Sequence, residues 1–566
     1  MLTALLLSWT SASAQLRIDG RTAVLDSLTS TWLCTVPEDV FGTDFTTTVT
    51  MDGATDITVN GTAVGDEYTF AGISGKKTWT LGATKADGST SSTHIAFTFL
   101  PIVVIEGEVD KENYNTGTVS VLLPDEDIVS PCKMKFRGSA TNSHIYFKRN
   151  YHLKFVDEAG NKADYKFFEN LRNDNNWLLD AGTLDRLRIR NRVLTDLWAD
   201  MGSKPYYSDV EPKALNSSRG KMVEVFRNGE YQGMYNMCEP IDRKQMKLLK
   251  TDEENGIING LLWKTDVRTA GTMMQECTAV NNSRNLWNGF EVKYPDFEEV
   301  NPTNFGPLAD AVRFVAESSD IEFAQQVSDY FDVPVLVDYF IFMQFTLAYD
   351  NMGKNVFWAI RDLNEDKKLT LGVWDFDTSL GQSWKRYEYH PDYLTPDVDL
   401  FTMRTADNYM HRLIKWNVDG FVDKAGERYR ALRKGVLATD SIKQRFMTYL
   451  DMLDKCGATQ REYTRWYKCS DLGGLTADLV RETPFVMDWI EKRMEFMDVY
   501  FAHYATGDIN RNGSIDISDI NALVSNTLGI EENKMPDIYS YRLDLNGDKS
   551  VDITDINHLT NIIMNR

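Results

Sequence analysis

The chain is short of the residues that disulfide scaffolds, zinc sites and membrane spans require. Its 566 residues include 6 cysteines and 7 histidines. Cys34, Cys132, Cys238, Cys277, Cys456 and Cys469 are scattered and form no C-x-x-C pair, which excludes a disulfide-dense framework and a paired-cysteine zinc site. Cys456 and Cys469 lie near enough in sequence to bridge, given suitable geometry, and the others are expected to be buried thiols. The histidines make no H-E-x-x-H and no serine sits in G-x-S-x-G, so neither zinc-protease nor α/β-hydrolase chemistry is indicated. No internal apolar run reaches bilayer length. The nearest, Val335 to Tyr349, contains Asp338 and Gln344 and reads as a buried helix. Positive charge is also scarce: 61 Lys and Arg against 83 Asp and Glu leave a net charge of −22. That balance argues against nucleic acid or an anionic membrane surface as a partner.

What is present suits several packed domains, with 42% hydrophobic and 12% aromatic residues in a chain too long for one core. Residues 1–14 fit a signal peptide, with an apolar run from Leu2 to Trp9 and small residues before a cleavage after Ala14. The expectation is export to a secreted, cell-surface or periplasmic location. No cysteine follows the cleavage point, so a lipoprotein anchor is not indicated. Residues 15–100 alternate β-branched strands with Gly/Asp turns and predict an Ig-like β-sandwich. Gly72 to Thr78 has a superficial phosphate-loop look, but Lys77 occupies the Ser/Thr position and strands flank it. A hairpin turn is expected there.

From 101 to 505 strands come first and helices later, which predicts a two-lobed α+β domain. Helical periodicity covers Asp185 to Met201, then Leu308–Glu317, Val333–Ala348, Ile442–Leu453 and Leu475–Phe501. Asn228-Gly229 marks one hairpin turn, and a second hairpin is expected at 356–374.

Residues 506–566 contain a tandem repeat with a period of 36. Asp508, Asn510, Asn512, Ser514, Asp516 and Asp519 recur as Asp544, Asn546, Asp548, Ser550, Asp552 and Asp555. Oxygen donors at loop positions one, three, five, nine and twelve, with a carbonyl at seven, wrap a hard cation; Ca²⁺ is the expected ligand. Each loop leads into an apolar helical pattern. Gly513 supplies the sharp sixth-position turn in the first loop, whereas Lys549 stands there in the second. Asp in place of Glu at position twelve resembles type I dockerin modules, and that resemblance implies a cohesin-type docking partner.

The segment Asp350 to Gly381 carries the chemistry of interest. Asp350 and Asn355 lie five apart, and after the hairpin come Asp375 and Asp377. A phosphotransferase needs a carboxylate beside the acceptor hydroxyl, then an amide and another carboxylate to hold Mg²⁺ or Mn²⁺. In that order Asp350 orients or deprotonates the hydroxyl, and Asn355 with Asp375 or Asp377 holds the metal. Lys354 is expected to neutralise the transferring phosphoryl group.

The stretches FRGSATNSHIYFKRNYHLKF, LRNDNNWLLDAGTLDRLRIRN, VEVFRNGEYQGMYNMCEPIDRKQM, DNMGKNVFW and GVWDFDTSLG resemble, in order, the CotH family of atypical secretory kinases. The resemblance implies a distorted kinase fold, ATP, a divalent metal and Ser/Thr phosphorylation of exported proteins. By it, Arg137 and Gly138 begin the phosphate-covering segment, and Lys148 or Lys154 contacts the nucleotide phosphates. Lys154, on an expected strand, is the preferred counterpart of the kinase strand lysine. Ser139-Ala140-Thr141 departs from the family's usual N-S-S, and the 185–201 helix offers Asp196 and Asp200 but no Glu to pair with that lysine. A surface or matrix binding protein that keeps the scaffold without turnover is the alternative function.

Overall fold

Alternating apolar positions build three main sheets, and most of the helices lie in the C-terminal half of the chain. The computed structural model describes residues 15–565 apart from 139–140, 142–146, 253, 299, 366, 383–394, 404–407, 468–478 and 532–533. The expected signal peptide, Ser139, Ala140 and Cys469 therefore lie outside the described residues, as do residues 475–478 of the last expected helix. The α+β class is observed, with a β-rich N-terminal part and a helical C-terminal part. Contacts divide the chain into two compact units. One takes Met1–Ile189, Gly220–Glu239 and Met447–Leu479; the other takes Arg190–Arg219, Pro240–Phe446 and Val480–Arg566.

In the first unit, an eight-stranded sheet runs in the order Val49–Met51, Leu16–Ile18, Arg21–Asp26, Thr31–Thr35, Thr90–Thr98, Trp79–Lys85, Ala54–Val59, Thr62–Ala63. Leu16, Ile18 and Val49 near one edge share a core with Val59, Leu81 and Phe97 towards the other. The sheet must therefore bend back over itself to hide its apolar face.

The turn at 72–78 corrects one expectation. Its flanking strands are not partners: Tyr68–Phe70 pairs with Phe45–Thr47, and Trp79–Lys85 pairs with Ala54–Val59 and Thr90–Thr98. The segment passes between sheets because its small residues permit a backbone crossing. A Cβ on Gly75 would lie 2.0 Å from the Cys456 carbonyl carbon.

A closed seven-stranded barrel follows, in the order Ile102–Glu106, Asn115–Leu122, Asp127–Arg137, Asn150–Phe155, Asn176–Asp180, Glu230–Cys238, Gly220–Arg227. The parallel pairing of Ile102–Glu106 with Gly220–Arg227 closes it. Closure leaves no free edge and fills the interior with Val103, Leu153, Trp177 and Tyr235, all buried. Asn228 (φ 48°) and Gly229 (φ 77°) make the expected two-residue hairpin turn. A second apolar cluster, Leu33, Ala96, Ile102, Val104, Phe226 and Tyr231, joins the barrel to the N-terminal sheet.

The second unit centres on a five-stranded sheet ordered Leu286–Trp287, Phe290–Tyr294, Leu261–Thr265, Val356–Ile360, Thr370–Val373. The apolar run is the helix Val333–Thr346, buried at every residue from Val335 to Thr346 and ended by Leu347 at φ 48°. Asp338 is satisfied there by Arg428 at 2.9 Å and by Ser203. The helix expected from Asp185 starts instead at Arg190. The Asp185 carboxylate accepts the Leu187 N–H at 2.9 Å, and Arg188 adopts φ 61°, so a local turn outcompetes the first helical turn. Gly306–Glu317, Thr439–Lys455 and Leu479–Tyr500 stand close to expectation. No helix among the described residues is long and apolar enough to cross a membrane.

Candidate functional site

The buried helix delivers the chain directly to Asp350, which sits in a short 3-10 turn, Tyr349–Met352. The Asn351 side chain donates to the Trp374 carbonyl at 2.7 Å, and the Asn351 carbonyl accepts the Tyr339 hydroxyl at 2.5 Å. These bonds tie the turn to the end of the following hairpin. Register pairs Val356 with Val373, so Asn355 and Lys354 lie at the same end as Trp374 and Asp375. Lys354 Nζ stands 3.8 Å from Asp350 Oδ2, with about a fifth of each side chain exposed. The structure thus brings Asp350, Lys354, Asn355 and Asp375 together at one hairpin end.

Two of these residues hold unusual backbone. Asn355 has φ 61° and Asp375 has φ 68°, left-handed values that Asn and Asp tolerate better than other non-glycine residues. Such conformations persist where the surroundings over-determine them, and they cluster at functional sites. The anchors are visible here. Asn355 N–H donates to the Thr265 carbonyl at 3.2 Å, and Phe376 N–H donates to the Asn191 side chain. Phe376 is buried edge-on against Phe342, with centroids 5.1 Å apart. Asp375 and Asp377 therefore flank a fixed aromatic, and Asp377 is itself largely buried. Asn191 was not legible as a site residue, since an Asn in a first helical turn looks like an ordinary cap.

Carboxylate and amide oxygens suit a hard cation such as Mg²⁺ or Mn²⁺. No group of three or more His, Cys, Asp or Glu is arranged to hold a metal among the described residues.

In the first unit the two candidate lysines differ sharply. Lys154 is half-buried on the outer face of the barrel, its Nζ 4.6 Å from the Tyr114 ring centre. Lys148 is buried. Its ammonium donates to both Glu462 oxygens at 2.8 and 3.0 Å and to the Met234 carbonyl at 2.6 Å. Glu462 comes from the helix Ala458–Trp466 and also accepts Arg188 Nε and the Met234 N–H, each at 2.8 Å. Gly233 makes room for it, since a Cβ there would lie 1.9 Å from Glu462 Oε2. Burial pushes Lys148 down to about 8, against the pull of Glu462. Burial also opposes the Glu462 charge, yet Lys148 and Arg188 together hold its carboxyl below the ordinary range. Glu462 lies more than 300 residues downstream of Lys148. Arg137 ends its strand beside Asn150, and Gly138 takes φ 106°.

The two C-terminal loops have the folding expected of calcium loops. In the first, Asp508 accepts the N–H groups of Asn512 and Gly513, both at 3.0 Å, and Asp519 spans back to the N–H groups of Asn510 and Asp516. In the second, Asp544 accepts Asp548 and Lys549 N–H, while Asp555 spans to Asn546 and Asp552. Lys549 adopts φ 64°, so it takes the sharp turn that Gly513 takes at φ 88°. Asp516 and Asp552 cap the helices Ile517–Thr527 and Ile553–Met564. Asn510, Asn512, Ser514, Asn546 and Ser550 complete a donor set made of oxygen alone, which fits Ca²⁺.

Residues 134–497, more than half of the chain, match the family model described as CotH kinase protein, and residues 506–564 match the dockerin type I domain. Dockerin type I domains bind calcium. No curated protein matches the chain detectably. The chain therefore belongs to the CotH kinase protein family and carries a C-terminal dockerin type I domain.

Proposed function

We propose that the protein is an exported atypical kinase that transfers the ATP γ-phosphate to Ser or Thr of secreted or surface proteins. The observation that supports it best is the gathering of Asp350, Asn355 and Asp375 at one hairpin end, two of them in left-handed backbone. Bound ATP would supply the phosphoryl group, with Mg²⁺ or Mn²⁺ neutralising its charge. Asn355 and Asp375, with Asp377 beside them, would hold the metal. Lys148 and Lys154 are the candidate phosphate contacts, with Arg137 and Gly138 covering the phosphates. Of the two, Lys154 stays the preferred lysine, because the buried Lys148 ammonium already donates to both Glu462 oxygens and the Met234 carbonyl. Asp350 takes the proton of the acceptor hydroxyl as that oxygen bonds to phosphorus and the bond to ADP breaks. Lys354 offsets charge on the phosphoryl group in flight. The dockerin module, loaded with Ca²⁺, would dock the enzyme to a cohesin-type partner.

Purified protein incubated with γ-labelled ATP, Mn²⁺ and an acidic casein-like acceptor should label the acceptor, and Asp350→Ala should not. Absence of both label transfer and nucleotide binding in the wild type would leave a surface or matrix binding protein that retains the scaffold only.

A further inference from the structure

The calcium module is usually read as a tag, yet here one face of it is already occupied by the same chain. The stretch between the two loops forms a short helix, Asp537–Arg542. Asp537 pairs with Lys415 at 2.8 Å on the helix Tyr409–Lys415, an exposed contact that counts for little alone. The Tyr539 hydroxyl donates to Asp399, and its ring lies 6.5 Å from that of Tyr500. The other Asp399 oxygen accepts Gln344 Nε2 at 2.8 Å, and Gln344 Oε1 accepts the Leu400 N–H at 3.0 Å. Gln344 is fully buried two residues before the end of the helix that leads to Asp350, and its carbonyl is held by Arg493 at 2.9 Å. All these groups belong to the second compact unit.

The same short helix is tied to the calcium loops. Arg542 donates to the carbonyl of Ile509, the second residue of the first loop. Leu543 follows and packs with Ile509, Leu523 and Leu559 at the centre of the module's core, with eight only partly buried apolar residues around them. So small a core does not hold a sixty-residue module by itself, and uncompensated loop carboxylates repel one another. A cavity of about 290 Å³ lies where Asp508 and Asp544, the first residues of both loops, meet Arg430, Tyr500 and Phe501. The loop starts therefore border the contact directly.

We infer that the stretch between the calcium loops is an interaction surface for the chain's own helices, assembled by Ca²⁺, and that it steadies the turn carrying Asp350 through Tyr539, Asp399 and Gln344. The inference rests on calcium binding and needs no turnover, so its failure and that of the kinase reading are separable.

Amide hydrogen exchange on the full chain tests it, in Ca²⁺ and in EDTA. Chelation should speed exchange at residues 344–352 about tenfold, in step with exchange at 537–543. With Ca²⁺ present, Tyr539→Phe, and Asp399→Asn from the other side, should speed exchange at 344–352 while calcium affinity stays unchanged. Melting of 506–565 in EDTA with unaltered exchange at 344–352 would overturn the inference. So would a calcium effect at 344–352 that neither substitution reproduces.

Discussion

The calcium loops and the hairpin end at Asp375 draw on the same residue types, Asp and Asn, but are assembled in opposite ways. Each calcium loop closes within twelve residues, with Asp508 and Asp519 satisfying N–H groups nine or fewer positions away. The hairpin end depends on a distant anchor: Asn191 is 185 residues from Phe376. Local loops are therefore set by short-range turn chemistry and an added ion, whereas the hairpin end inherits its geometry from the packed fold. Damage to a distant anchor should appear as lost stability, and damage to a reacting group as lost activity at constant stability.

Four substitutions or treatments sharpen that contrast. Asp350→Ala should lower label transfer by about 10²–10⁴-fold with an unchanged melting temperature, because it removes a group acting on the hydroxyl proton. Glu462→Gln should cost about 3–5 kcal/mol in urea unfolding, since it leaves Lys148 and Arg188 buried without their shared carboxylate. Chelation should remove about 2.7 kcal/mol from the module if calcium stood at about a hundred times its dissociation constant, seen as loss of a calorimetric transition. Lys154→Ala, on the half-buried outer face, should change stability by less than about 1 kcal/mol.

The Glu462 pair also predicts an acid limb. Its folded carboxyl is held below its unfolded value, so it contributes stability that is complete above about pH 4.3 and is lost as pH falls through the folded value. Urea midpoints measured from pH 6 downward should fall over that window, and less steeply in Glu462→Gln. Equal slopes in the two proteins would remove the pair from the account.

The legibility of the sequence follows the same division. The repeat at 508–555, the helix at 333–346 and the hairpin at 356–373 could be read because each is fixed by spacing over a few turns. The helix start at Arg190 was misplaced because one Asx-type turn at Asp185 overrides apolar periodicity. The 72–78 turn was misread as a hairpin because strand pairing is a tertiary choice that local turn residues do not encode. Glu462 and Asn191 carried no signal at all: both lie on helices in ordinary company, and only the fold brings them to Lys148 and Phe376. Cys456 needed the same context. It is a buried free thiol whose proton points to the Leu453 carbonyl, and burial pushes it up to about 12.

Nucleotide binding tests the central claim most directly. Calorimetric titration of ATP with Mn²⁺ into the wild type should show binding, and Asp375→Asn should abolish it while leaving the melting temperature and the calcium transition in place. Equal binding by Asp375→Asn, or none by the wild type, would contradict a metal–nucleotide site at the hairpin end.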